Sequence, residues 1–317
     1  MTDEDAINCL IATALAEDIR SGDITSEACI CKEALTGGRL LLKQNGRVAG
    51  LPFLSKIFKS ISPKIEVHCL IEEGSKHPAG TVIATIEGPA QGILSAERVA
   101  LNLLQHMSGI ATVTATYVEK VKGTNCDILD TRKTLPGLRY IEKYAVRMGG
   151  GVNHRYALDD RYIIKNNHLA FLAHKTDKPI LEAVKRARAY KPQILVEVEV
   201  ETLKMVEEAI ESKADIIMLD NMTVPMMTQA VKMIKNRAYV EASGGVTLET
   251  VRAYAETGVN GVSIGALTHS VKALDISLQL NLPKTPAGSS SKYNTTTTHS
   301  LINSLTNSLK GEKNHVC

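Results

Sequence analysis

Aromatic residues are scarce in this chain of 317 residues, which has no tryptophan and only three phenylalanines. A core built from it has to be aliphatic, and runs rich in Ile, Val, Leu and Ala supply one. Strong net charge is also missing: a formal charge of +3 argues against a nucleic-acid partner held by bulk electrostatics. Long apolar runs are absent, since no segment approaches the roughly 18 residues of a membrane span. The N-terminal stretch MTDEDAINCLIATALAEDIR is acidic and reads as a helix rather than a signal peptide. Six cysteines, Cys9, Cys29, Cys31, Cys69, Cys126 and Cys317, make no zinc-type CxxC pair and lack the density of a disulfide scaffold. Together these absences lead us to expect reduced thiols and a cytoplasmic location, with no membrane and no nucleic acid as partner.

What the chain does have is a local excess of positive charge. Between Asp130 and His168 lie Arg132, Lys133, Arg139, Lys143, Arg147, Arg155, Arg161 and Lys165, opposed only by Asp130, Glu142, Asp159 and Asp160. In a nearly neutral protein such a concentration points to an anionic ligand.

The first part of the chain reads as α+β. Ala6, Leu10, Ile11, Ala14 and Leu15 recur at helical spacing, and the helix is expected to stop near Ser21-Gly22, with Asp23 and Thr25 as capping residues. RLLLK, the turn signal Asn45-Gly46 and RVAGL suggest a β-hairpin. Further strands are expected at 65–71 and 81–88, followed by two helices broken near Ser108-Gly109.

Beyond Asn125 an apolar strand and an amphipathic helix alternate. The strands fall at 126–129, 161–165, 194–200, 215–219, 238–243 and 261–265. Helices are expected near 138–148, 179–190, 203–212, 225–235 and 248–257. Such alternation means a parallel sheet, doubly wound or closed into a barrel. Polar, charged or glycine residues follow every strand, as they do in a barrel whose site is assembled from many strand ends. With about six βα units instead of eight, the barrel is expected to be incomplete.

In VEVEV (196–200) side chains alternate faces, so Glu197 and Glu199 share one face and the valines the other. The valines suit the layer under the helices, which sends both carboxylates into the barrel. There they need cations, with Lys133 and Lys165 as the natural partners, or a metal. A structural ion-pair network and a functional site both fit; Asp220 at the next strand end favours a site, suiting a Mg²⁺ ion or a ribose diol. Ser243-Gly244-Gly245 and Gly265-Ala266 sit where barrels often bind phosphate on backbone N–H groups. Gly149-Gly150-Gly151 reads either as a second anion nest or as a helix C-cap. His154 and His168 are the candidate imidazoles, and no HxxxH zinc spacing occurs.

Taken together, TRKT-PGLR (131–139), EKYAV (142–146), GGG-x-x-HR (149–155), K-x-NH (165–168), EVEV (197–200), LDN (219–221), EASGG (241–245) and IGALTHS (264–270) closely resemble the quinolinate phosphoribosyltransferase family. EDIRSGDITS (17–26), RVAGL (47–51) and AERVALNLL (96–104) extend the likeness from about residue 5 to about 282. The resemblance implies an N-terminal α/β sandwich domain (1–110, joined by 271–283) and an incomplete β/α barrel (111–270); it does not cover 284–317, whose Ser, Thr and Asn content reads as a mostly disordered tail, with Leu301, Leu305 and Leu309 spaced for one short helix. It implies phosphoribosyl transfer from 5-phosphoribosyl-1-diphosphate to quinolinate with decarboxylation, using Mg²⁺, in a homodimer. By motif, Arg98 would reach quinolinate across the dimer interface, joining Arg132, Lys133, His154, Arg155 and Lys165. Lys133, Glu199 and Asp220 would be catalytic, with Glu199 and Asp220 near metal and ribose. Ser243, Gly244, Gly245, Gly265 and Ala266 would hold the 5-phosphate. One departure stands out: the family pattern Lys-Asp-Asn-His is here Lys165-Asn166-Asn167-His168. A nicotinate phosphoribosyltransferase and a non-catalytic sensor are the alternatives, separated by CO₂ release and by turnover.

Overall fold

A computed structural model describes residues 2–281. The expected tail 284–317, with a short helix through Leu301, Leu305 and Leu309, lies outside the described residues. The N-terminal part contains α1 (Asp3–Ile19), α2 (Ile24–Cys29), β1 (Leu35–Leu42), β2 (Gly46–Arg47), α3 (Leu51–Ile61), β3 (Glu66–Cys69), β4 (Lys76–His77), β5 (Val82–Pro89) and α4 (Ala90–Lys120). There follow β6 (Asp127–Leu129), α5 (Arg139–Met148), β7 (Tyr162–Ile164), α6 (Asn166–Ala173), α7 (Pro179–Tyr190), β8 (Val196–Val200) and α8 (Leu203–Glu211). The remainder is β9 (Ile216–Asp220), α9 (Val224–Ile234), β10 (Tyr239–Ser243), α10 (Val251–Glu256), β11 (Gly261–Ser263), α11 (Ala266–His269) and β12 (Ile276–Leu280).

Four antiparallel strands in the order β12-β1-β5-β3 form the first sheet. The chain therefore returns to this sheet at its end, where Leu280 to Ile276 run against Gly38 to Leu42. The expected hairpin does not form, because β1 pairs with β5 and β12 while β2 pairs with β4. Asn45 and Gly46 serve other contacts: Asn45 Oδ1 accepts the Ala79 N–H at 2.8 Å, and Leu274 fills the space that a side chain at Gly46 would need. Asp23 does cap α2, accepting from Ser26 N at 3.0 Å.

The expected break at Ser108-Gly109 is absent too, and α4 runs unbroken for 31 residues, about 46 Å at 1.5 Å per residue. Both residues are packing devices. Buried Ser108 holds Ala49 through both backbone groups, at 3.1 and 3.3 Å, and the bare Cα of Gly109 lets the Lys272 carbonyl against the helix. The small residues that read as a breaker are there to admit neighbouring backbone.

The second sheet is parallel, ordered β6-β11-β10-β9-β8-β7. Beside β6 lies only a single bridge, Leu129 to Val152, and β7 has no neighbour beyond β8 among the described residues, so the barrel stays open there. Helices cover the outer face, and β9 is apolar up to its last residue because both of its faces are covered. Thr202 and Thr223 cap α8 and α9, while Pro179 and Pro225 enter their helices where a missing N–H costs nothing. Each strand thus ends at one rim, and the chemistry collects there.

Candidate active site

The rim encloses a cavity of about 600 Å³. Thr131, Arg132 and Lys133 after β6, His154 and Arg155 after α5, and Lys165 after β7 line one side. Glu199 at the end of β8, Asp220 of β9, and Ser243, Gly244 and Gly245 from the end of β10 line the other. Gly265, Ala266, His168 and Arg98 are not part of this lining. Gly265 packs against a lining residue, since a Cβ there would sit 2.8 Å from Lys133 Cδ. Arg98 is exposed on α4. His168 is taken up by local structure, its Nδ1 accepting the Lys165 N–H at 3.0 Å at the start of α6.

A buried ion pair sets the cationic side. Lys143 on α5 pairs with Asp130, and both side chains are almost wholly buried. Asp130 also accepts from His154 N at 2.8 Å and Asn153 Nδ2 at 2.6 Å, while Lys143 Nζ donates to the His154 carbonyl at 2.9 Å. Burial raises Asp130 and lowers Lys143, and their mutual attraction works against both shifts. The loop carrying His154 and Arg155 is fixed from below by these bonds. Gly149 to Gly151 close α5 as its C-terminal turn, Gly149 and Gly151 packing on Thr114 and Gly150 facing Val118, which supports the C-cap reading. Burial, and then the Arg132 charge, disfavour the Arg155 guanidinium, so an arriving anion relieves repulsion already present.

On the acidic side Lys165 Nζ lies 2.5 Å from Glu199 Oε2. Glu197 is partnered otherwise than expected: it meets Arg161 at 3.2 Å and His154 at 3.3 Å, whereas Lys133 runs over Gly265. Lys133 is reached by the chain position but not by the carboxylate, which lies a layer deeper. Burial and then the Glu199 charge raise Asp220, a repulsion that a divalent cation held by both carboxylates removes. Their oxygen donors at adjoining strand ends fit Mg²⁺ completed by ligand oxygens. Gly244 (φ 97°) and Gly245 (φ 58°) take left-handed backbone, and a Cβ at Gly244 would collide with Asn221. The departure at Asn166 has a partner, since its Nδ2 donates to Glu201 Oε1 where an aspartate would meet a like charge.

Sequence reasoning missed Glu241 as a site residue. It is fully buried in the middle of β10, between Val240 and Ala242, and its Oε2 lies 3.2 Å from His154 Nε2. The alternation that placed Glu197 inside the barrel applies equally to YVEAS, and it would have placed Glu241 there.

A cationic strand-end cluster facing carboxylates and a glycine turn across an incomplete β/α barrel defines an α/β-barrel enzyme site for polyanionic, phosphate-bearing substrates. Comparison with known proteins narrows the class. Residues 23–108 match the N-terminal domain of quinolinate phosphoribosyl transferase and residues 110–279 its C-terminal domain. The chain belongs to the quinolinate phosphoribosyl transferase family.

It is 41% identical over 284 residues to the nicotinate-nucleotide pyrophosphorylase [carboxylating] of Mycobacterium leprae, covering 87% of this chain and 98% of that one. It is 42% identical to a quinolinate phosphoribosyltransferase [decarboxylating] of Nicotiana glauca, over 84% of this chain and 80% of that protein. Among solved structures, NadC from Streptococcus pyogenes superposes with a TM-score of 0.83 at 38% identity, covering 89% of this chain and 98% of that one.

Proposed function

We propose that this protein is a pentosyltransferase that joins quinolinate to 5-phosphoribosyl-1-diphosphate and decarboxylates the product, a step of de novo NAD biosynthesis. The products are nicotinate mononucleotide, diphosphate and CO₂. The observation that carries this reading is the division of one cavity between a cation cluster and an acid-and-glycine half, the first suited to carboxylates and the second to a phosphoribosyl group.

Arg132, Lys133, Arg155 and Lys165 would hold the two carboxylates, with His154 beneath the ring and Arg98 supplied by the partner subunit of a homodimer. Exposure of Arg98 away from its own subunit's cavity supports that last assignment. Guanidinium forks match planar carboxylates, and the lysines act as point charges. Ser243, Gly244 and Gly245, with Gly265 and Ala266 nearby, would take the 5-phosphate on backbone N–H groups. Glu199 and Asp220 would either hold Mg²⁺, which would supply charge neutralisation for the leaving diphosphate, or stabilise the positive charge developing at C1. As the C1–oxygen bond of the ribose breaks, diphosphate leaves with the bonding pair and the ring nitrogen lone pair forms the new bond at C1. The ring nitrogen is then cationic, so the adjacent carboxylate leaves as CO₂, its bonding pair stays on the ring carbon, and a proton completes the product. A cytoplasmic location is consistent with free thiols at the five described cysteines; no described helix is long and apolar enough to cross a membrane.

Purified protein given quinolinate, the donor and Mg²⁺ should form nicotinate mononucleotide. Arg132→Ala should lower kcat/KM by at least about a hundredfold, since two charge-assisted bonds are worth about 1.5–3 kcal/mol each. Unchanged turnover in that variant would remove the assignment.

A further inference from the structure

Beneath the cationic side, three buried groups converge: His154 Nε2 lies 3.3 Å from Glu197 Oε2 and 3.2 Å from Glu241 Oε2. These ligand atoms are close enough together to hold a metal ion. The other ring nitrogen decides against that. His154 Nδ1 accepts the Arg155 N–H at 2.8 Å, so Nδ1 carries a lone pair and the ring proton is on Nε2. A metal-bound histidine has the reverse arrangement, with its second nitrogen donating.

One N–H therefore serves two carboxylates at ion-pair distance, with no aligned hydrogen bond to either, and both Glu241 oxygens are left without a hydrogen-bond partner. Glu197 has a further counter-charge, Arg161 Nη1 at 3.2 Å. Glu241 is fully buried and has His154 as its only ion-pair partner among the described residues. Glu197 approaches it from β8 and the Ser263 hydroxyl from β11; the Tyr239 phenol lies on its own strand, and the β9 residue in register is apolar Met218. A buried carboxylate in such surroundings takes up a proton rather than bear an unpaired charge.

We propose that Glu241 is an uncharged carboxylic acid, a positioning residue that holds His154 as the neutral Nε2–H tautomer and keeps the floor of the cavity from repelling a dicarboxylate. Burial, the first cause, raises Glu241, and the Glu197 charge adds to the effect. For His154, burial works downward, but the attraction of Glu197 and Glu241 outweighs it and raises it to about 9, which would favour an imidazolium; the Nδ1 lone pair that accepts the Arg155 N–H leaves no place for that second ring proton. This is the proton the two groups share, and the Arg155 N–H assigns it to the carboxylate. At alkaline pH the proton leaves, and a second negative charge appears beneath the substrate carboxylates.

The consequence for binding rests on the quinolinate reading, whereas the protonation state does not, so two measurements separate them. In the ¹⁵N spectrum of the full-length protein, assigned through His154→Asn, His154 should show one protonated and one bare nitrogen near about pH 7. Two protonated nitrogens would overturn the proposal whatever the enzyme does, and this readout needs no variant at Glu241. In kinetics, KM for quinolinate should rise at least about tenfold between about pH 7 and about pH 10, with kcat changing much less. Glu241→Gln, which mimics the neutral acid, should keep KM at about pH 7 within about threefold and lose the alkaline rise. A tenfold higher KM at neutral pH, or an alkaline rise that persists in Glu241→Gln, would contradict the proposal. Failure of quinolinate turnover altogether would instead count against the functional reading.

Discussion

Lys143 and Asp130 oppose each other inside the protein, and neither touches the cavity they serve. The pair ties the end of β6 to α5 and to the His154 backbone, so its value lies in fixing where Arg155 stands. Lys143→Ala leaves Asp130 buried without its cation. We expect a loss of about 3–5 kcal/mol in urea unfolding, together with a higher KM for quinolinate. At this scale the sequence was informative about identity and weak about partners. Glu199 and Lys165 meet as alternation and strand order suggested, whereas Glu197 meets Arg161 and His154. Depth within the barrel separates those two outcomes, and a period of two does not encode depth. Glu241 was within reach of the same alternation that identified Glu197.

Helix α4 shows what an element-level reading loses. A Ser-Gly pair normally punctuates a helix, and here it is where the helix meets the backbone at Ala49 and Lys272. Because the contact at Gly109 is with a carbonyl oxygen and not with a flexible side chain, it cannot give way. Gly109→Ala should therefore cost about 1–3 kcal/mol even though alanine favours helix, measured as a fall in the urea midpoint. An unchanged or raised midpoint would restore the reading of Ser108-Gly109 as a simple weak point. The βα units were legible because their apolar runs and caps are local: α7 spans Pro179–Tyr190, the range that periodicity gives. The first sheet was not, because its pairings join β1 to β5 and β12 over long separations that no local turn signal specifies.

For the whole molecule, two expectations follow from charge and assembly. Glu241 is raised by burial and then by the Glu197 charge, so the folded state keeps a proton that the unfolded chain gives up. Its contribution is complete below the ordinary carboxylate range and is lost as pH rises through the raised value of the folded state. The urea midpoint should fall over that window in the natural protein and fall less in Glu241→Gln. Assembly gives the other expectation. If Arg98 completes the partner's site, Arg98→Ala and Arg132→Ala are each nearly inactive alone, while a mixture allowed to exchange subunits regains activity. In the mixed dimer one site has both arginines and the other has neither. No regain on mixing would place Arg98 outside the site.

The central claim is that one cavity both transfers the phosphoribosyl group and releases the carboxylate beside the ring nitrogen. Quinolinate labelled in that carboxyl tests it most directly. The account predicts one labelled CO₂ for each nicotinate mononucleotide formed, only when the phosphoribosyl donor is present. Nucleotide formed from nicotinate but not from quinolinate, or quinolinate bound with no CO₂ released, would contradict it.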